Sequence, residues 1–227
     1  MLPLKDNIPS YKKPLFLYTI IVINVIVFLF ELSFSKNALT QFFYAFGLLP
    51  ERLIFSFSFY AVLTIFTSMF IHADLLHIIG NMWFLWIFGD NVEDIAGHSK
   101  FLFIYFMSGI GGALIQAFLN PASNIPMIGA SGAISGILGA YIILFPRAKI
   151  LTLLPLVIIW EIVYIPAYIF LGLWILLQFF SGLGSLGAQG GVAWFAHIGG
   201  FLTGVLLALP LRNKVKQRRE RQYDVYR

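Results

Sequence analysis

Two residues with the chemistry of a nucleophile and a base stand at the starts of apolar stretches in this chain. Ser131 lies in Gly129-Ala130-Ser131-Gly132, and His197 lies in the sequence AHIGG. A serine is a weak nucleophile alone and needs a base beside it, which a histidine can supply. The chain has four histidines and no cysteine, so thiol catalysis is excluded. These two residues predict a serine nucleophile activated by a histidine.

The composition indicates the solvent in which these residues work. Hydrophobic residues make up 59% of the 227 residues and charged residues 11%, with a mean hydropathy of +0.87. A soluble domain of this size does not need so much apolar surface, so lipid must be the main solvent. We therefore expect an all-α polytopic membrane protein.

Six apolar segments are candidates to cross the bilayer. They run from about Pro14 to Phe30, Leu75 to Val92, Phe101 to Leu119, Ser131 to Pro146, within Leu153 to Phe180, and from Val192 to Leu211. The limits of the fifth segment stay open, because Pro155, Glu161 and Pro166 interrupt it.

The stretch from Leu53 to Ile71 is uncharged and long enough to be a further span. Counting it gives seven spans and puts the two basic ends of the chain on opposite faces. Leaving it out gives six, with both basic ends inside, as the positive-inside rule favours. We therefore predict a membrane-embedded or interfacial loop here. Residues 1–13 and the basic tail 212–227 are then cytoplasmic, residues 14–211 form the membrane domain, and the predicted location is the cell membrane.

Three polar residues fall at one depth in this scheme, where spans two, four and six run inwards from the outer face. At about 1.5 Å per residue, Ser131 lies roughly 22 Å from the inner edge, His197 roughly 21 Å and Asn81 roughly 20 Å, in a core about 30 Å thick. Polar side chains at such a depth usually face the bundle interior. The shared depth favours a dyad in which His197 removes the proton of Ser131.

His77 and Asn81 are further candidates, because residues four apart share one face of a helix. From that face they could donate hydrogen bonds to the oxyanion that forms when Ser131 attacks a carbonyl group. A purely structural hydrogen-bonded pair is the alternative for these two residues.

Helix packing is the alternative explanation for the small residues around the serine. Such residues recur at four-residue spacing in two spans, as Gly132, Gly136 and Ala140 in span four and Gly200 and Gly204 in span six. Membrane helices use this spacing for close contact. Close approach of the two spans is expected with or without chemistry, and it would bring Ser131 to His197.

Four stretches, in this order along the chain, are similar to the motifs of one family. They are 70–82 (FIHADLLHIIGNM), 88–93 (FGDNVE), 129–132 (GASG) and 196–200 (AHIGG), within roughly Thr64 to Gly204. With these motifs the chain resembles the rhomboid intramembrane serine proteases. The resemblance implies a six-helix core with a membrane-embedded first loop and a Ser131–His197 dyad. It also implies an oxyanion site formed by His77, Asn81 and the Ser131 backbone.

The chain departs from some rhomboids at two places. A tryptophan–arginine pair in the first loop is replaced by Leu63 and Thr64. A tyrosine that stacks on the histidine, four residues after the serine, is replaced by Ser135. The anchoring of the loop and the orientation of His197 must therefore differ from those rhomboids.

We predict an intramembrane serine endopeptidase that cleaves transmembrane segments of other membrane proteins within the lipid bilayer. No cofactor, metal ion or nucleic acid is expected. Substrates with weak helix formers near the cut should be favoured, because helical carbonyl groups are hydrogen bonded and shielded. The resemblance suggests a small residue before the cut. One alternative is an inactive rhomboid-like adaptor, which loss of Ser131 or His197 would favour. The other is a small transporter with Glu161 as its charged residue.

Overall fold

The described part of the protein is a bundle of helices with a small sheet. A computed structural model describes residues 1–156, 159–185 and 191–215. Its α-helices are α1 (Leu15–Glu31), α2 (Lys36–Phe46), α3 (Pro50–Phe55), α4 (Phe59–Thr67), α5 (Leu75–Ala96), α6 (His98–Leu119), α7 (Ser131–Leu144), α8 (Ala167–Gly184) and α9 (Trp194–Ala208). Single 3₁₀ turns follow α4 and α9, at Ser68–Phe70 and Leu209–Leu211. Most of the predicted tail 212–227 lies outside the described residues.

Three of the described helices are long and apolar enough to cross a membrane alone, namely α6, α8 and α9 with its continuation to Val215. The segment α4 with its 3₁₀ turn passes the same test only together with α5, and the two are bent by 83°. Helices α1 and α7 are apolar but shorter. These findings confirm a polytopic helical membrane protein. The predicted spans coincide with α1, α5, α6, α7, α8 and α9, and the count of six stays a prediction.

The parallel helices α7 and α9 form the centre of the bundle, and α6 packs against both. Their backbones are in contact. A Cβ atom added at Gly200 would overlap the carbonyl oxygen of Gly132, and one added at Gly204 would overlap that of Gly136. Small residues permit this approach. The predicted close contact of these two spans is confirmed, and it sets the start of α7 beside the start of α9.

Helix α1 runs opposite to α5, and polar contacts join them at both ends. The carboxylate of Glu93, near the end of α5, accepts hydrogen bonds from the N–H groups of Phe16 (3.0 Å) and Leu17 (2.8 Å). It satisfies donors that the first turn of a helix leaves free, and its charge suits the positive helix end. At the opposite end, Glu31 accepts the N–H of His72 at 3.3 Å. Since α5, α7 and α9 are parallel, the start of α1 and the end of α9 lie at one end of the bundle.

The segment between α7 and α8 differs from the prediction. It forms an antiparallel hairpin of β2 (Lys149–Leu156) and β3 (Ile159–Pro166), and β1 (Leu2–Lys5) pairs with β2. The fifth apolar helix therefore begins at Ala167, and a small sheet must be added to the predicted all-α bundle. β-Branched and aromatic residues favour strands here, whereas hydropathy alone does not separate a buried strand from a helix.

The first loop, α2 to α4, is anchored through its backbone. Leu48 and Met127 exchange two hydrogen bonds, of 3.0 and 2.8 Å, and the carbonyl of Ser68 accepts the N–H of Gly129 at 2.9 Å. Thr64, which replaces the arginine of some rhomboids, is buried and bonds to a carbonyl of its own helix at 2.7 Å. The loop is thus attached directly to the segment that leads into α7. Its depth in the membrane stays a prediction.

Candidate active site

A cavity of about 800 Å³ lies among the starts of α5, α7 and α9 and one side of α8. The residues predicted from the sequence all line it: His77, Asn81, Ser131 and His197. Helix α7 has 14 residues and α6 has 22, so their lengths are about 21 and 33 Å. This difference lets α7 begin well below the level that α6 reaches, with its first residue in the cavity wall.

Ser131 follows a sharp turn at the start of α7. Gly129 has φ of 117°, in the left-handed region that favours glycine. A Cβ atom at Gly129 would lie 2.6 Å from Nε2 of His77, so a larger residue would also collide there. Helix α7 begins without a side-chain cap, which leaves its first N–H groups without helical partners at the positive end of the helix. The turn therefore presents both the hydroxyl and the helix end to the cavity.

Ser131 and His197 are in hydrogen-bond contact. The distance from Oγ of Ser131 to Nε2 of His197 is 2.8 Å. His197 is buried, with 8% of its surface exposed. A hydroxyl and an imidazole in this arrangement are what a nucleophile and its base require. The structure thus brings together the two residues that the sequence predicts as a pair.

Gln178, which the sequence motifs do not predict, holds the other side of the imidazole. Its Oε1 lies 2.7 Å from Nδ1 of His197, and its Nε2 donates to the carbonyl of Trp174 at 3.3 Å. Because the amide nitrogen is turned to Trp174, the amide oxygen accepts the Nδ1 proton. In the neutral ring Nε2 is then free to accept the hydroxyl proton of Ser131.

Two tryptophans flank His197, where some rhomboids have the tyrosine. The ring of Trp174 lies 6.1 Å from the imidazole at 32°, and that of Trp194 lies 6.0 Å away at 89°. Ser135, at the tyrosine position, instead donates to the carbonyl of Ser131 at 2.6 Å. The imidazole is therefore oriented from α8 and from the start of α9.

His77 and Asn81 face the turn that precedes the serine. Asn81 is buried, and its Nδ2 has no hydrogen-bond partner within the described chain, so it does not donate to His77. Nδ1 of His77 accepts the N–H of Ala73 at 3.4 Å, which leaves Nε2 as the protonated nitrogen facing Gly129. A buried donor without a partner is uncommon and needs an explanation. An oxyanion in the cavity would supply its acceptor.

A second glutamine supports the start of α9. Oε1 of Gln116, in α6, accepts the N–H of Ala196 at 3.2 Å, directly before His197. Gln116 and Gln178 both lie in apolar helices, and polar side chains within a membrane usually face the bundle interior and pair. A polar residue within an apolar segment is visible in the sequence, and this pattern singles out both glutamines.

Comparison with known proteins identifies the family. A sequence profile of the Rhomboid domain matches residues 60–214. This chain belongs to the rhomboid family. The matched range contains every residue that lines the cavity.

The relatives of this rhomboid include organellar and bacterial proteins. It is 30% identical over 167 residues to "Rhomboid protein 1, mitochondrial" of Saccharomyces cerevisiae, across 70% of this chain and 45% of that protein. It is 34% identical over 149 residues to "RHOMBOID-like protein 6, mitochondrial" of Arabidopsis thaliana, across 64% and 42%. It is also 34% identical over 129 residues to "Rhomboid protease GluP" of Bacillus subtilis, across 56% and 24%. The chain thus spans less than half the length of these relatives.

Proposed function

We propose that this rhomboid is an intramembrane serine endopeptidase, with Ser131 as nucleophile and His197 as general base. The observation that carries the proposal is the 2.8 Å contact between Oγ of Ser131 and Nε2 of His197, in a cavity inside a membrane bundle. The relative "Rhomboid protease GluP" carries the word protease in its name, so another protein of this family is named as a protease.

In the proposed reaction, Oγ of Ser131 attacks the scissile carbonyl carbon while Nε2 of His197 takes its proton. The resulting imidazolium keeps its Nδ1 proton and donates it in a hydrogen bond to Oε1 of Gln178. His197 then gives a proton to the leaving amine, which breaks the C–N bond and leaves an acyl group on Ser131. Water activated by the same histidine hydrolyses this ester, as in other serine hydrolases.

The negative charge on the carbonyl oxygen develops beside three kinds of donor. These are Nδ2 of Asn81, which has no partner among the described residues, the protonated Nε2 of His77 and the N–H groups at the start of α7. Donors that are fixed before the reaction stabilise the transition state without paying for reorganisation. We assign Asn81 and His77 to this oxyanion site.

The substrates are transmembrane segments of other proteins, which reach the site within the bilayer. A helical segment must unwind locally before its carbonyl can meet Ser131, so glycine, proline or other weak helix formers near the cut should be favoured. We place the protein in the cell membrane with residues 1–13 and the tail 212–227 on the cytoplasmic side, and residues 14–211 as the membrane domain.

The test uses purified protein in proteoliposomes with a model transmembrane substrate. The wild type should cleave it, and a fluorophosphonate probe should label Ser131. Ser131→Ala should lose both cleavage and labelling, whereas the matched control Ser135→Ala, one turn further along α7, should keep most of each. Cleavage that survives Ser131→Ala would refute the assignment. A wild type that neither cleaves nor reacts with the probe would favour the inactive adaptor.

A further inference from the structure

The three-stranded sheet has two unlike faces. Side chains alternate between the faces along each strand. On the inner face, Ile150 and Thr152 are fully buried against the bundle. The other face, here called the open face, exposes large apolar side chains: Leu2 (44%), Trp160 (69%), Ile162 (60%) and Tyr164 (57%). An antiparallel sheet whose outer face meets water normally shows polar residues there, so this composition does not suit water.

The strand register makes these apolar residues one surface. Leu2 pairs with Leu153, and Leu153 pairs with Ile162, so three apolar side chains stand in a row across the sheet. Trp160 and Tyr164 lie two residues to either side of Ile162, on the same face. The surface is therefore continuous and is not a set of scattered hydrophobic residues.

The open face is charged at one end only. Lys149 and Lys5 are exposed on it, near the point where the sheet joins the ends of the helices. The apolar residues lie nearer the tip of the hairpin. Glu161, the acidic residue of β3, is exposed on the opposite face. The open face thus has a cationic end and an apolar end, and it carries no acidic residue among the described residues.

The direction of the sheet places it beside the membrane-spanning part of the bundle. Asp6, next to β1, accepts a hydrogen bond from Nδ2 of Asn91 at 3.0 Å, and the carbonyl of Pro3 accepts one from Nε1 of Trp83 at 2.7 Å. From Asn91 to Trp83, α5 rises by about 12 Å. The strands therefore run from the polar end of α5 toward its apolar middle, with the apolar end of the open face deeper than the lysines.

We propose that the open face is a lipid-binding surface, in contact with an anionic phospholipid bilayer. Acyl chains pack against Trp160, Ile162 and Tyr164, and lipid phosphates meet Lys5 and Lys149. Tryptophan and tyrosine are enriched at the boundary between the acyl chains and the headgroups of a membrane, and lysines beside this boundary attract anionic headgroups. The surface continues the lipid-facing side of α8, where Tyr168 and Ile169 are also exposed. This proposal does not depend on proteolytic activity.

The test places an environment-sensitive fluorophore on single cysteines in a chain that has no others. Ile162→Cys reports on the open face, and Glu161→Cys is the matched control on the opposite face. In proteoliposomes of phosphatidylcholine and phosphatidylglycerol, lipids with spin-labelled acyl chains should quench the probe at 162 severalfold more than aqueous iodide does. The probe at 161, at a similar depth but on the opposite face, should be quenched by these lipids severalfold less than the probe at 162. Iodide quenching that dominates at both positions would overturn the proposal, and so would lipid quenching that is equal at both.

A second copy of the chain is the competing occupant of this face. The same measurement is therefore repeated in nanodiscs that hold one protomer each. Lipid quenching at 162 that is unchanged supports the proposal. Lipid quenching that appears only in nanodiscs with one protomer, together with energy transfer between labelled copies in proteoliposomes, would show a protein interface and overturn it.

Discussion

Oε1 of Gln178 lies 2.7 Å from Nδ1 of His197, on the side of the ring opposite Ser131. Serine hydrolases with a Ser–His–Asp triad place a carboxylate at this position. A neutral amide fixes the same tautomer and orientation without adding a charge inside a membrane, where a charge is costly. We therefore treat Gln178 as a positioning residue for the proposed reaction.

Replacement of Gln178 should change turnover more than substrate binding. Gln178→Leu removes the acceptor that orients the ring, so we expect kcat to fall about 10- to 100-fold, less than the full contribution of a general base, with KM within about threefold. Gln178→Glu restores an acceptor and adds a charge that stabilises the imidazolium. The acid limb of its kcat/KM profile should therefore move to higher pH.

The control for these variants is Leu177→Ala, on the lipid-facing side of the same helix, which should leave both the rate and the pH profile unchanged. If Gln178→Glu lowered activity as much as Gln178→Leu with an unshifted pH profile, Gln178 would be a packing residue only.

The proposed dyad should behave as one unit. Ser131→Ala and His197→Ala should each abolish measurable cleavage, and the double variant should be little worse than either, because residues that act together are non-additive. Circular dichroism and thermal unfolding in detergent should show that the variants remain folded. If the losses of activity in the two single variants added up in the double variant, the two residues would have separate roles.

Replacement of Asn81 tests whether this residue donates to the oxyanion or has only a structural role. Loss of one such donor typically costs about 3 to 4 kcal/mol, or roughly 100- to 1,000-fold in rate. Since His77 and the start of α7 remain, we expect Asn81→Ala to lower kcat by about 100-fold with little change in KM or thermal midpoint. His77→Ala should act in the same way but more mildly. A large loss of stability with near-normal turnover by the folded fraction would instead assign Asn81 to packing.

Because α7 and α9 pack closely, replacing glycine by alanine should lower the thermal stability at Gly204 but not at Gly172. Gly204→Ala places a Cβ atom against the backbone of Gly136, and overpacking of this kind costs about 1 to 3 kcal/mol. At Gly172, in α8, an added Cβ meets no described atom within 4 Å, so Gly172→Ala should be neutral or stabilising by up to about 1 kcal/mol. Thermal unfolding in one detergent measures both. Equal midpoints for the two variants would contradict the close helix contact.

The topology can be tested with cysteines and a membrane-impermeant thiol reagent. In intact cells, Asn124→Cys, in the loop before α7, should react from outside, and Lys214→Cys should react only after the membrane is opened. This follows from the proposal that the basic ends are cytoplasmic. Reaction of Lys214→Cys in intact cells would reject the six-span arrangement.

Much of the site could be predicted because its parts are local in sequence. The small residues around Ser131, the four-residue spacing of His77 and Asn81, and the position of His197 at the start of a span each constrain geometry directly. Whether Gln178 faces His197 depends on the rotation of α8 about its axis, which an apolar sequence specifies weakly. Its contact with His197 therefore appeared only in the structure.

The hairpin was missed for a related reason. Residues 149–166 are about as apolar as a membrane helix, so hydropathy indicates a span there, with Pro155, Glu161 and Pro166 as interruptions. Their strand conformation is fixed by the pairing of β2 with β3, from Lys149 with Pro166 to Leu156 with Ile159, and β1, far away in sequence, adds a third strand through Leu2 with Leu153. No local pattern reports that third strand.

That same pairing imposes an order on biosynthesis. Leu2 leaves the ribosome about 150 residues before Leu153, a delay of roughly eight to thirty seconds at ordinary rates of translation. During this time α1, α5, α6 and α7 can enter the membrane, but the amino-terminal strand has no partner. It joins the fold only when the hairpin between α7 and α8 has been made, so β1 reaches its final place long after it has been synthesised.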